Sequence, residues 1–206
     1  TGALNFAIGD PNAAIHALVA LFAALERREA TGEGSYLDLS QTEALFATLA
    51  PYALAAQVDG AQPLPMGNFH PAMAPHGIYP AAGENQWLTL AVRGDKDWAA
   101  LAALAAGEDW VQDPAYATTN GRMADRAALD EAVAAWAAGQ DRDALVARLR
   151  EAGIPSAPVN DIDGLWNDPQ IAARGMADVV ELPGLGPEVL FRSPWTVSGI
   201  EIATGT

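Results

Sequence analysis

Asp10 is the first side chain whose type and position could do chemistry. It stands between a short apolar run and Pro11, where a helix is expected to begin. Beyond it, apolar residues recur at helical spacing, at Ile15, Leu18, Val19, Phe22 and Leu25. The pattern predicts a helix with Asp10 as its N-cap and Pro11 as its first residue. An Asp in that place is most often only a cap, but the same geometry suits a nucleophile.

The chemistry open to Asp10 is attack on an activated acyl group. The positive end of the helix dipole favours an ionised carboxylate at this position. The backbone N–H groups of Asn12 and Ala13 could bind an oxyanion that forms on a substrate carbonyl. An ionised, fixed carboxylate can form a covalent intermediate. Asp10 is therefore a candidate nucleophile, and Asn12 and Ala13 form a candidate oxyanion site at the helix N-terminus.

The second candidate region is a loop between residues 60 and 80. It contains prolines, glycines and two histidines, and its prolines are too frequent for a helix to form. Long loops of this kind often carry function, so Gly67, Asn68 and His70 are candidates for contact with a substrate. His70 and His76 have no acidic partner pattern, and we expect no metal site. His16 lies inside the first helix and is assigned a structural role.

Composition excludes several function classes. The chain has 11 basic and 26 acidic residues, a net charge of −15 and no Cys. Binding to nucleic acid or to an anionic membrane surface is therefore not expected, and thiol chemistry is excluded. Acidic pairs that start helices are interpreted as caps, among them Asp95/Asp97, Asp141/Asp143 and Asp161/Asp163. Without a membrane-spanning run or a signal peptide, the sequence predicts a soluble cytoplasmic protein.

The spacing of apolar residues, together with the Gly, Pro and capping residues between apolar segments, predicts an α/β protein in which helices dominate. The remaining predicted helices cover residues 41–58, 95–106, 125–138, 141–152, 161–166 and 168–174. The predicted strands cover residues 35–40, 86–92, 156–160 and 176–182.

Several stretches, taken in order, resemble the family III CoA-transferases, the group that includes formyl-CoA, carnitine and bile-acid CoA-transferases. The opening Gly9-Asp10 resembles the family motif whose Asp is the catalytic nucleophile. The loop Gly67-Asn68-Phe69-His70-Pro71 resembles the family's GN-x-HP loop. The other matching stretches are residues 23–40, 113–126, 153–161 and 168–176. One departure is Ala14, which stands where the family usually has Gly.

The resemblance implies an architecture. It consists of a partial Rossmann-like large domain plus a small α+β domain of the family III type. Residues 1–62 would belong to the large domain, 63–160 to the small domain, and 161–206 would return to the large one. Family members form interlocked dimers and are longer, with most of their CoA-binding surface in an N-terminal part. We therefore expect a homodimer or association with a missing N-terminal portion.

The resemblance also implies a reaction. CoA would pass from an acyl-CoA thioester to a carboxylic acid through an aspartyl anhydride and thioester at Asp10. Coenzyme A would be a substrate, with no separate cofactor, and the loop around Gly67 would shield the anhydride from water. Two alternatives stay open: a 2-methylacyl-CoA racemase, in which the same Asp acts as acid and base, and a non-catalytic fragment or subunit of such an enzyme.

Overall fold

The computed structural model of the chain describes residues 8–60 and 66–200. It divides into two compact units, Thr1–Gly67 and Asn68–Thr206. The apolar run before Ile8, loop residues 61–65 and the last six residues lie outside the described part. Helices and strands are mixed, which confirms the predicted class at that level. The assignment of residues 1–62, 63–160 and 161–206 to two domains stays a prediction.

The first unit is helical. Its described helices are α1 (Gly9–Thr31), α2 (Gln41–Thr48) and α3 (Ala50–Asp59). α1 ends before Gly32, which adopts a left-handed φ of 75° and donates its N–H to the Arg28 carbonyl at 2.8 Å.

Two predictions in this unit are wrong. Residues 35–40 form no strand, since no described segment pairs with them, and Tyr36 is largely exposed. The single helix predicted over residues 41–58 is instead two helices that meet at Leu49. Pro51 lies in the first turn of α3. Because proline has no N–H to donate to the preceding turn, α2 cannot continue through it.

The second unit is built on a three-stranded antiparallel sheet. Its strands are β1 (His76–Pro80), β2 (Trp87–Ala91) and β3 (Ser156–Val159), in the order β1-β2-β3. β2 and β3 confirm their predictions. β1 was predicted as loop because of its prolines, and Pro80 is tolerated because it ends an edge strand. Leu88 faces Tyr79 on one side and Pro158 on the other.

Helices surround this sheet and a hairpin follows it. The helices are α4 (Asp95–Leu104), α5 (Thr119–Ala124), α6 (Arg126–Ala138), α7 (Arg142–Glu151), α8 (Ile162–Trp166) and α9 (Pro169–Ala173). The hairpin pairs β4 (Ala177–Leu182) with β5 (Gly186–Phe191). All but α5 and β5 match predicted elements to within about two residues, which is the usual uncertainty of an element boundary.

The core of the second unit lies between the sheet and helices α4, α6 and α7. Its most deeply buried members are Leu88, Leu101, Leu129, Val133, Leu145 and Leu149. Burying one Leu side chain stabilises a fold by about 1.5–3 kcal/mol, so this cluster supplies a large favourable term. Within residues 8–60 and 66–200, no helix is long and apolar enough to cross a membrane.

Candidate active site

Asp10 lies in the first turn of α1, not at its cap. The N-cap is Ile8, which already has helical dihedral angles (φ −58°, ψ −28°) and makes no side-chain cap hydrogen bond. The predicted cap role of Asp10 is therefore wrong. Pro11, the third residue of the helix, fits there because an N–H in the first turn has no acceptor within the helix. The Asp10 carboxylate remains exposed at the positive end of a 23-residue helix.

Gln41 is a neighbour of Asp10 that the sequence analysis missed. Its Nε2 donates a hydrogen bond to the Asp10 Oδ1. A Cβ placed on Gly9 would lie 3.6 Å from the same Nε2, so the amide lies beside both residues. Gln41 is the first residue of α2, and Ser40 caps that helix by accepting from the Glu43 N–H at 3.3 Å. A separation of 31 residues left no local signal of the contact.

The predicted oxyanion donors take part in the helix itself. The Asn12 N–H donates to the Ile8 carbonyl at 3.2 Å, and the helical acceptor for Ala13 is Gly9. The Asn12 N–H is thus already bonded within α1, and the assignment of Asn12 and Ala13 to an oxyanion site stays a prediction. The donors without an acceptor in the helix belong to its first turn, at Gly9 and Asp10.

Two further polar groups lie near this turn. The Asn12 Nδ2 is buried without a hydrogen-bond partner among the described residues. His16 Nδ1 lies 2.9 Å from the Asn12 carbonyl oxygen. Its ring is thus held by its own helix, in agreement with the structural role assigned to it.

The candidate loop has its own hydrogen bonds. Gly67, the last residue of the first unit, has a left-handed φ of 60°. In the second unit, the His76 Nδ1 lies 2.7 Å from the Asn68 carbonyl oxygen, and the His70 Nδ1 accepts the Ala72 N–H at 3.1 Å. When neutral, His76 therefore carries its proton on Nδ1 and His70 on Nε2. The His70 ring presents an N–H donor on its outer edge.

Two arginines of the second unit hold this loop. Arg122 is fully buried and donates to the Ala74 carbonyl at 3.0 Å, to the Tyr116 carbonyl at 2.9 Å and to the Asp95 carboxylate at 2.7 Å. The Arg126 guanidinium lies 4.2 Å from the centre of the Phe69 ring, a cation–π contact. The loop is thus fixed to α4, α5 and α6 rather than free in solution.

A Tyr–Asp pair lies beneath the loop. The Tyr79 hydroxyl donates to the Asp130 Oδ1 at 2.5 Å. Burial raises the pKa of the Asp130 carboxyl above its usual value, while the Tyr79 hydrogen bond and the charges of Arg126 and His76 oppose that rise. Burial and the same carboxylate raise the pKa of Tyr79. The Asp130 carboxyl therefore binds its proton more tightly than an exposed Asp would.

The acidic pairs divide into caps and ion-pair partners. Asp141 and Asp161 accept N–H groups of α7 and α8, both at 2.8–2.9 Å, as predicted for caps. The cap prediction is wrong for Asp95 and Asp97, which bind Arg122 and Arg93 instead. Hydrogen bonding to those guanidinium groups lowers the pKa of both carboxyls. Among the described residues, no group of three or more His, Cys, Asp or Glu side chains could hold a metal ion.

The candidate residues thus form two groups, Asp10 with Gln41 in the first unit and Asn68 with His70 in the second. A model of CoA-transferase family III matches residues 3–205. The chain belongs to CoA-transferase family III. The matched range includes the Gly9-Asp10 pair and the 67–71 loop.

Relatives with named activities support the same family. The chain is 30% identical, over 182 residues, to succinyl-CoA:mesaconate CoA-transferase of Haloarcula hispanica, covering 88% of this chain and 45% of that protein. It is 29% identical, over 183 residues, to succinyl-CoA–D-citramalate CoA-transferase of Chloroflexus aurantiacus, covering 89% and 45%. This family III chain spans less than half the length of both relatives.

A solved structure has the same fold. A crystal structure of a CAIB/BAIF family protein from Brucella suis matches with a TM-score of 0.84 and 27% identity. The match covers 98% of this chain and 52% of that one.

Proposed function

We propose that the chain carries the nucleophile of a CoA-transferase, and that this nucleophile is Asp10. The observation that carries the proposal is the exposed Asp10 carboxylate in the first turn of α1, held by the Gln41 amide, in a chain of family III. A carboxylate held in a fixed position can act as a nucleophile toward an activated acyl group.

The reaction runs through two acyl derivatives of Asp10. One carboxylate oxygen of Asp10 attacks the thioester carbonyl, and the carbon–sulfur bond breaks to give a mixed anhydride and CoA thiolate. The thiolate attacks the Asp10 carbonyl carbon and releases the first acid, which leaves an aspartyl-CoA thioester. A second carboxylate attacks the same carbon, and the steps reverse to give the new acyl-CoA. The exchange splits one difficult acyl transfer into easier ones and needs no oxidant or metal.

For the substrates, we propose succinyl-CoA as donor and a dicarboxylic acid as acceptor. Both named relatives use succinyl-CoA, and mesaconate and D-citramalate are dicarboxylic acids. Since the chain has a net charge of −15, such anionic substrates need local donors. The His70 Nε2–H and the Asn68 side chain are the donors that we assign to this role in the loop. Coenzyme A enters as a substrate, and we propose no separate cofactor.

The proposal also includes a second polypeptide surface that packs against the first unit. Large apolar side chains are exposed on α1, α2 and α3, among them Ile15, Val19, Phe22, Phe46 and Val58. An apolar surface of this extent is typical of an interface. We propose that a second copy of the protein or a further α/β portion covers it, and that the enzyme works in the cytoplasm with the loop shielding the anhydride.

The substitution Asp10→Asn tests the proposed function. Asn keeps the size of the side chain but is not a nucleophile, so we expect transfer from succinyl-CoA to a dicarboxylic acid to fall below detection. The assay is done on the protein in its active assembly, with Asp38→Asn, on an exposed segment of the same unit, as the matched control. Retained transfer in Asp10→Asn would overturn the proposal. Exchange of the α-hydrogen of an acyl-CoA with deuterated water, without any acceptor acid, would instead support the racemase.

A further inference from the structure

We propose that Gln41 is a second catalytic residue of this site. Its side-chain amide binds the Asp10 oxygen that becomes the carbonyl oxygen of the aspartyl anhydride and thioester, and it stabilises the oxyanion that forms there. The inference rests on the proposed function, since it assigns a role within the acyl transfer at Asp10.

The position of Gln41 is fixed by elements on both sides of the contact. Ser40 caps α2 through the Glu43 N–H, and this cap places Gln41 at the first position of that helix. The amide reaches across to Asp10 Oδ1 and lies next to Gly9. Gln41 and Asp10 both lie in the first turn of a helix, so the donor and the carboxylate stand on rigid elements rather than on a loop. Groups held this way need little reorganisation during a reaction.

The hydrogen bond distinguishes the two oxygens of Asp10. Because the Gln41 N–H is bonded to Oδ1, Oδ2 is the oxygen left to attack the thioester carbonyl. In the mixed anhydride that forms, Oδ2 bridges the two acyl groups, and Oδ1 is the aspartyl carbonyl oxygen.

The next step places a negative charge at Oδ1. When CoA thiolate forms a bond to the Asp10 carbonyl carbon, the electron pair of the C=O bond moves onto Oδ1. It returns as the bond to Oδ2 breaks and the first acid leaves as its carboxylate. The Gln41 N–H donates to Oδ1 throughout, and its hydrogen bond strengthens as the charge grows. When the second acid attacks the aspartyl-CoA thioester, negative charge again forms on Oδ1, and the Gln41 N–H again donates a hydrogen bond to it.

The substitution Gln41→Leu removes this donor and keeps a side chain of similar length. Loss of one oxyanion donor costs about 10²–10³-fold in kcat. We expect a fall of that order, with the KM values for acyl-CoA and acid nearly unchanged, because the amide contacts Asp10 rather than the substrate and its hydrogen bond strengthens in the transition state. Gln57→Leu, an exposed glutamine of α3 in the same unit, is the matched control and keeps wild-type kcat.

The substitution Gln41→Glu gives a readout that a purely structural role would not move. When ionised, the introduced carboxylate repels the Asp10 carboxylate and has no proton to donate, whereas the protonated acid can donate an O–H to Oδ1. The activity of this variant, divided by that of wild type at each pH, should therefore rise as the pH falls. A ratio that stays constant with pH would contradict a donor role.

A contact measurement separates this inference from the proposed function. In the ¹⁵N–¹H spectrum of the chain, the side-chain amide signals of Gln41, assigned by their loss in Gln41→Leu, should shift in Asp10→Ala, while those of Gln57 stay. If Asp10→Asn abolishes transfer but Gln41→Leu keeps wild-type kcat, the Gln41 role is wrong and Asp10 stands. If Asp10→Asn keeps its activity, the proposed function itself fails. The expected result is loss of activity in both variants together with a shift confined to Gln41.

Discussion

The unit that carries Asp10 and the unit that follows it differ in how they bury apolar side chains. Among the described residues of the first unit, only Ala13 and Ala44 are buried hydrophobics, and Phe22 of α1 is 66% exposed. In the second unit, a continuous cluster of aliphatic and aromatic side chains is closed to solvent, with Leu129 at 0% exposure.

The difference shows how the two parts of the chain relate to folding and to function. The second unit has the core that an independently stable domain needs. The first unit presents helices with large exposed apolar side chains, a pattern typical of a surface that another structure covers. The proposed nucleophile therefore stands on the unit that we propose is covered by another polypeptide surface.

The largest effect is expected from Arg122→Met in the second unit. Arg122 is fully buried and satisfies the carbonyl groups of Ala74 and Tyr116. Removing it leaves both carbonyl groups without that donor, at a cost of about 1–3 kcal/mol each, so the free energy of unfolding in urea should fall by about 2–6 kcal/mol. Arg174→Met replaces an exposed arginine of the same unit and should change it by less than about 0.5 kcal/mol. Equal effects of the two variants would show that the Arg122 network adds no stability.

The same truncation made in each unit sharpens the comparison. Leu129→Ala leaves a cavity in a closed core and should cost about 2–5 kcal/mol of unfolding free energy. Leu18→Ala in α1 acts on a side chain that is 52% exposed and should cost less than about 1 kcal/mol. If urea denaturation gave Leu18→Ala a cost like that of Leu129→Ala, the α1 surface would already be covered in solution.

The smallest effect is a change in pH dependence at Asp130. The pKa of this carboxyl is raised in the folded protein, so the folded state holds the proton more tightly than the unfolded chain. Its contribution to stability is present below the ordinary carboxyl pKa and is lost as the pH rises through the raised value. Asn cannot ionise, so the stability of Asp130→Asn relative to wild type should increase over that window. Urea unfolding curves at a series of pH values measure this, and a constant difference would contradict it.

Much of the second unit could be predicted from the sequence because its signals are local. Alternation in residues 86–92 and the caps at Asp141 and Asp161 fixed element types and ends correctly. β1 was missed because prolines at an edge strand resemble a loop. The strand predicted over residues 35–40 failed because alternation does not supply a partner strand.

For the candidate site, the sequence could single out Asp10 and the 67–71 loop but not their contacts. The Gln41–Asp10 hydrogen bond joins residues far apart in the chain, and no helical or strand period encodes it. The helix begins earlier than Pro11 suggested, which places the Asn12 N–H inside the helix, and the sequence pattern could not show this. Helix starts are the least certain part of a pattern-based prediction.

The most direct test of the central claim is to trap the intermediate on Asp10. The protein in its active assembly is incubated with succinyl-CoA and hydroxylamine, digested, and the peptide that contains Asp10 is measured by mass spectrometry. An anhydride or thioester at Asp10 reacts with hydroxylamine, so we predict a hydroxamate on that residue and an unmodified peptide when acyl-CoA is omitted. An Asp10 that stays unmodified while CoA transfer proceeds would contradict the account.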